Sequence, residues 1–219
     1  MTRDEVCHRI REVGIVPAIR VTSKEDAFFA ADTVIGGGIP IVEVTMTVPD
    51  ALEVVTELRA RHPDAIIGAG TVLDISAANR CLDAGAMFVT STGFDCAIVE
   101  VARRAQVAAI PGALTPSEIM AAIRAGADMI KLFPCAQVGG AAYVRALHGP
   151  FPQVSFIASG GVHQQTALDF IEAGAAALGI GEDLIPHEAV RSRRADWIQE
   201  LAHRFLHMVQ RARGGLVAH

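Results

Sequence analysis

Ala125-Gly-Ala-Asp-Met-Ile-Lys-Leu132 is echoed by three other stretches: Gly36-Gly-Gly-Ile-Pro-Ile-Val-Glu-Val44, Ala84-Gly-Ala-Met-Phe-Val-Thr90 and Ala173-Gly-Ala-Ala-Ala-Leu-Gly-Ile180. In each, glycine ends a helical pattern and a short apolar run begins a few residues later. Glycine readily takes the left-handed conformation that closes a helix. A short apolar run between breakers reads as a strand buried on both faces. Such strands belong to parallel sheets covered by helices.

The same beat fills the rest of the chain. Strands are expected at Ile15 to Arg20, Ile39 to Thr45, Ala65 to Gly70, Met87 to Thr90 and Val107 to Ile110, then around Lys131, at Val154 to Ala158 and at Ala177 to Ile180. Helices are expected at 2–13, from a Ser23 cap to about 35, at 49–61 with Pro49 in its first turn, at 74–84, 94–105, 115–125, 139–148 and 163–173, with a last amphipathic helix at 195–212. Thr115 and Glu118 have capping-box spacing. Eight strands alternating with helices predict a single α/β domain, a (β/α)8 TIM barrel over residues 1–219 with an extra N-terminal helix. An open doubly wound sheet would want a GxGxxG turn after its first strand, and that turn is missing. The tail from about 213 to 219 carries no pattern and is expected to be loose.

Composition narrows the function classes. The 219 residues are 51% hydrophobic but only 5% aromatic, so the core must be built from Ala, Val, Ile and Leu. A net charge of −5, with Arg191-Ser-Arg-Arg194 as the one basic tract, argues against a nucleic-acid partner. Cys7, Cys81, Cys96 and Cys135 lack CxxC spacing and a histidine cluster, so reduced thiols in a cytoplasmic protein are expected, with no metal site. The N-terminus is too charged for a signal peptide, and no apolar run approaches the ~18 residues of a membrane span.

In a barrel of this kind the chemistry sits where the strands end. Lys131 stands there, inside an apolar run stopped by Pro134. An ammonium in apolar surroundings loses its water, which favours the neutral amine, a nucleophile towards ketones and aldehydes. Equally, such a lysine can reach to the strand end or pair with a carboxylate. Glu43 and Arg20 end two other strands, among small hydroxyl residues such as Thr45, Thr47 and Thr71. His62, His148 and His163 fall in loops or helix ends and read as surface residues.

Six motifs taken in order, VEVTMT (42–47), IGAGTV (67–72), VTSTGF (89–94), IPGALTPSE (110–118), IKLFP (130–134) and SGGV (159–162), resemble the KDPG/KHG aldolases. The resemblance runs from about residue 14 to 190. It implies a class I aldolase that cleaves 2-keto-3-deoxy-6-phosphogluconate, or 4-hydroxy-2-oxoglutarate, to pyruvate and an aldehyde. It implies no cofactor or metal, a small 2-oxo acid as partner, no membrane, and a homotrimer. Residue by residue it makes Lys131 the imine former, Glu43 the acid/base and Thr71 a substrate contact. Thr45, Thr92, Gly93 and Phe133 join Thr71 as expected substrate-binding residues. Gly160, Gly161 and Gly181 are expected to hold a phosphate through backbone amides.

Three departures bear on the substrate. Thr47 stands where some family members place a substrate-binding arginine, and Arg20 is expected to replace it as anion clamp. Ser91-Thr92-Gly93 lacks the proline of the usual segment. Glu182 stands where relatives carry serine or glycine, and a carboxylate there would repel a phosphate dianion. The phosphogluconate substrate leads by resemblance. A non-phosphorylated 4-hydroxy-2-oxo acid and 2-keto-3-deoxy-6-phosphogalactonate are the alternatives. A phosphate-sugar isomerase or epimerase on the same barrel, with Glu43 as base and no covalent step, is the rival of another class.

Overall fold

The computed structural model describes residues 1–216. Nine parallel strands follow one another around a nearly closed barrel, in the order β5-β4-β3-β2-β1-β9-β8-β7-β6. The strands are β1 (Ile15–Ile19), β2 (Ile41–Thr45), β3 (Ile66–Gly70), β4 (Phe88–Thr90), β5 (Ala108–Ile110), β6 (Gly112–Ala113), β7 (Ile130–Leu132), β8 (Phe156–Ser159) and β9 (Ala177–Ile180). The ninth strand is an addition: the fifth strand stops before Pro111, as expected, and Gly112–Ala113 forms a further short strand beyond it. Proline has no N–H to give to a ladder, so β5 pairs with β4 on one side and β6 pairs with β7 on the other. Lys131 N–H still donates to the Pro111 carbonyl at 2.9 Å, and Asp128 N–H donates to Ala109 at 2.9 Å, which joins the two edges.

Helices lie between the strands. Of these, α1 (Arg3–Val13) precedes β1, with Thr2 and Glu5 forming a capping box at its start. It packs on β1, β5 and β9. Arg3 reaches Asp128 at the entrance of β7, at 3.3 Å. Burial pushes the Asp128 carboxyl above the usual range, against the lowering pull of the Ala109 N–H and of Arg3. That carboxylate accepts the Ala109 N–H at 2.9 Å, a second tie across the β5–β7 seam. The extra helix therefore lies across the end of the barrel where the strands begin, which leaves the opposite end free for a site.

The remaining helices are α2 (Lys24–Gly36), α3 (Ala51–Arg61), α4 (Ile75–Asp83), α5 (Cys96–Arg104), α6 (Pro116–Ala125), α7 (Gly140–His148), α8 (Ala167–Glu172), α9 (His187–Arg191) and α10 (Ala195–Leu216). Thr115 and Glu118 form the expected capping box on α6. Three expectations change. Pro49 does not open α3, because Asp50 adopts a left-handed conformation (φ 53°) and the helix begins after it. The helix expected at 163–173 is shorter, since the Thr166 hydroxyl accepts the His163 N–H and holds 163–166 as a turn. The tail expected to be loose is helical through Leu216, while 217–219 lie outside the described residues. Arg213 in this helix donates to the carbonyls of Glu12 (2.5 Å), Arg11 (2.6 Å) and Ala176 (3.0 Å). One guanidinium thus satisfies the open end of α1 and ties it to the approach of β9.

The core is aliphatic, as the composition requires, with Phe88, Phe156, Phe170 and Phe205 among its largest buried side chains. All four cysteines are free. Burial pushes the thiols of Cys7, Cys81 and Cys135 up to about 11, so they stay protonated at neutral pH. No helix among the described residues is long and apolar enough to cross a membrane.

Candidate active site

The barrel register places Glu43 and Lys131 opposite each other across the interior. Glu43 is flanked by Ala18 on β1 and Gly68 on β3, and Lys131 has Gly112 beside it on β6. Small neighbours leave room for two long side chains to meet. The Lys131 Nζ stands 3.3 Å from Glu43 Oε1 and 3.5 Å from Oε2. Lys131 is 7% exposed and Glu43 2%. Each charge compensates the other out of water, and removing either partner would leave a buried charge alone. A Cβ at Gly70 would collide with the Glu43 carboxylate, so glycine at the end of β3 is what lets that carboxylate lie where it does.

Above this pair opens a cavity of about 280 Å³, large enough for a small organic acid. Glu43, Lys131 and Phe133 line its depth. The Lys131 Nζ lies 5.9 Å from the centre of the Phe133 ring, which keeps water from one side of the amine. Thr92, Gly160, Gly161 and Gly181 line the walls, and the exposed side chains of Arg20 and Glu182 stand at the mouth. These expected site residues meet in one space. Gly93 lies outside the lining, but its loop is held close. The Ser91 hydroxyl donates to the Gly93 carbonyl at 2.6 Å and accepts the Gly112 N–H at 3.3 Å.

Thr45 and Thr71 are also outside the lining. Thr45 is fully buried and its hydroxyl donates to the Ile19 carbonyl at 2.8 Å. Its remaining contact is with the Thr47 hydroxyl, also at 2.8 Å, so β1 and the β2 turn already use it. Thr71 adopts a positive φ of 58° and its buried hydroxyl has no partner. Buried polar groups are ordinarily hydrogen-bonded, so this hydroxyl stands out among those of the strand ends.

Three residues at the site were not singled out as site residues from the sequence. Thr90, on β4, is 1% exposed and its hydroxyl donates to Glu43 Oε2 at 2.8 Å. In sequence it is one of three consecutive hydroxyl-bearing residues, with nothing to mark which one turns inward. Asp183 and His187 join Glu182 at the mouth, where His187 opens the short helix α9 after Pro186. The signal for His187 was its place in the last strand-to-helix loop, where barrels gather ligand groups. His62, His148 and His163 are not among the lining residues, and each has a local partner, in Asp32, the Gly174 carbonyl and Gln165. No group of three or more His, Cys, Asp or Glu side chains arranged to hold a metal ion occurs among the described residues.

The chain is similar to known proteins along most of its length. The profile of the aldolase family described as KDPG and KHG aldolase matches residues 6–201. The 2-dehydro-3-deoxy-phosphogluconate aldolase of Pseudoalteromonas atlantica is 34% identical over 188 residues, which is 86% of this chain and 87% of that one. The KHG/KDPG aldolase of Escherichia coli is 32% identical, over 86% and 88%. Among solved structures, the KDPG aldolase of Legionella pneumophila, with pyruvate captured as a covalent carbinolamine, superposes with a TM-score of 0.82 at 30% identity, covering 90% of this chain and 95% of that one.

Proposed function

The chain belongs to the KDPG and KHG aldolase family, and from that premise we propose that it cleaves 2-keto-3-deoxy-6-phosphogluconate to pyruvate and glyceraldehyde 3-phosphate through an imine on Lys131. The observation that carries the reading is the buried Lys131–Glu43 pair at the floor of the cavity. Glu43 can take the ammonium proton as Nζ adds to the C2 ketone. Glu43 returns that proton to the carbinolamine hydroxyl, which leaves as water and gives an iminium that draws electrons towards nitrogen. The C3–C4 bond then breaks as the C4 hydroxyl gives up its proton, to Glu43 or to a water beside it. The aldehyde leaves, and the enamine is protonated at C3 by Glu43. Water then returns to C2 and releases pyruvate. Capture of pyruvate as a carbinolamine in the Legionella relative supports the covalent route.

Within this reading Arg20 clamps a substrate anion. Thr71, Thr92 and Gly93 hold the pyruvate carboxylate, and Phe133 keeps the amine dry. Gly160, Gly161 and Gly181 receive the phosphate through their amides.

A second substrate reading has its own support. Glu182 and Asp183 both line the cavity, and a phosphate held by the nearby glycines would be repelled by their like charge. A non-phosphorylated 4-hydroxy-2-oxo acid, which escapes that repulsion, is the alternative to be excluded. Pyruvate release from KDPG, 2-keto-3-deoxy-6-phosphogalactonate and 4-hydroxy-2-oxoglutarate, measured side by side, separates the substrates. KDPG is expected to show the highest kcat/KM, and Glu182→Ser is expected to raise it by about two- to fivefold, the scale of one exposed charge interaction. A higher kcat/KM for hydroxyoxoglutarate, with no gain from Glu182→Ser on KDPG, would remove the phosphorylated substrate from the lead.

The proposal extends to a homotrimer in the cytoplasm, which rests on the family resemblance. Light scattering on the eluting protein should give the mass of three chains, and a mass of one or two chains would overturn it.

A further inference from the structure

We propose that Thr90 is a positioning residue for Glu43 that divides the work of its two carboxylate oxygens. This rests on the imine reading above and goes beyond it. The Thr90 hydroxyl has one proton, which goes to Glu43 Oε2 at 2.8 Å. Its lone pairs face the Lys131 Nζ at 3.4 Å. Oε2 is thereby tethered to β4, while Oε1 is the oxygen nearer the amine. Thr90 is 1% exposed, so water does not compete for the tether. Lys131 and Thr90 are the side chains that bond Glu43 among the described residues.

The tether matters most after the imine forms. A free ammonium carries three N–H donors; an iminium nitrogen carries one. Lys131 then holds Glu43 less firmly at the step where the carboxylate must exchange a proton with C3. In that step Glu43 takes a proton from the methyl group of the pyruvate iminium, and the C–H pair moves into the C2–C3 bond as the C=N pair returns to nitrogen. The reverse step delivers the proton back. Thr90 is what keeps the carboxylate from rotating away in between.

The test uses the full chain with pyruvate. Borohydride trapping reads imine formation on Lys131, and loss of the pyruvate methyl proton signal in deuterium oxide reads the Glu43 step. Thr90→Val keeps the branched shape suited to a strand and removes the hydroxyl. Thr90→Ala removes the hydroxyl without adding a methyl group, and Thr90→Ser keeps it. Val and Ala variants are expected to lose about tenfold or more in exchange rate, the worth of one hydrogen bond to a charged group. Their trapped yield and the KM for pyruvate should stay within about twofold, and Ser should recover most of the exchange. Exchange at the wild-type rate in Thr90→Val or Thr90→Ala overturns the proposal. So does an equal loss of trapping and exchange, because a merely structural residue would lower both together. Failure of the wild-type protein to trap pyruvate at all would instead count against the imine reading.

Discussion

Lys131→Arg is expected to reduce aldol cleavage by about 10⁴-fold or more, the scale on which an enzyme collapses when its covalent nucleophile is removed. Arginine keeps the positive charge beside Glu43 but cannot form an imine with a ketone, so charge and nucleophilicity are separated in one change. Reduction with borohydride in the presence of pyruvate should add mass to the wild-type chain at Lys131 and add none to the variant. The rival, a phosphate-sugar isomerase or epimerase on the same barrel, makes the opposite prediction. There the lysine serves only through its charge, and the variant keeps most of its activity. Surviving cleavage in Lys131→Arg, or a trapped adduct at another residue, would falsify the imine assignment. Folding is a separate question, because a guanidinium is bulkier than an amine in a site that is only 7% exposed. Thermal unfolding of the variant checks that lost activity is not lost structure.

Glu43→Gln should slow cleavage by about 10²- to 10⁴-fold, the range for loss of a positioned general acid–base group. Glutamine keeps the shape and can still accept the Thr90 hydroxyl bond, so the loss reports on proton transfer and not on space. The adduct test distinguishes this variant from the first. With pyruvate and borohydride it should still label Lys131, only more slowly, since the amine remains and the proton carrier is gone. Methyl proton exchange of pyruvate should fall by at least as much as cleavage. The variant is also expected to be less stable, because Lys131 loses the carboxylate 3.3 Å away that compensates its burial. Exchange at the wild-type rate in Glu43→Gln would assign the proton transfer to another group.

Much of this molecule is legible along the chain. Glycine-closed helices followed by apolar runs repeat because backbone sterics and hydrophobic burial act locally. The barrel follows from that repeat, and the barrel in turn says that the ends of the strands are where Lys131, Glu43 and Arg20 meet. The motifs around them carried the family. Pro111 shows the limit of local reading. It lies just past the expected strand Val107 to Ile110, yet only the closed sheet shows the chain crossing there from one neighbour to the other.

What the chain order cannot express is the direction each side chain takes once the barrel has closed. Thr45 and Thr90 both end strands and both carry a hydroxyl. One is spent on the Ile19 carbonyl, the other on the Glu43 carboxylate. The difference comes from strand stagger and twist, which depend on contacts between residues far apart in sequence. The same holds for the 3.3 Å between Lys131 and Glu43, which lie 88 residues apart, and for His187 at the mouth. Local patterning predicted the barrel, and the family motifs pointed to Lys131 and Glu43 as the pair to look for. The closed barrel alone set their distance and chose which neighbours serve them, because side chains from separate strands are brought together only when the sheet curls round.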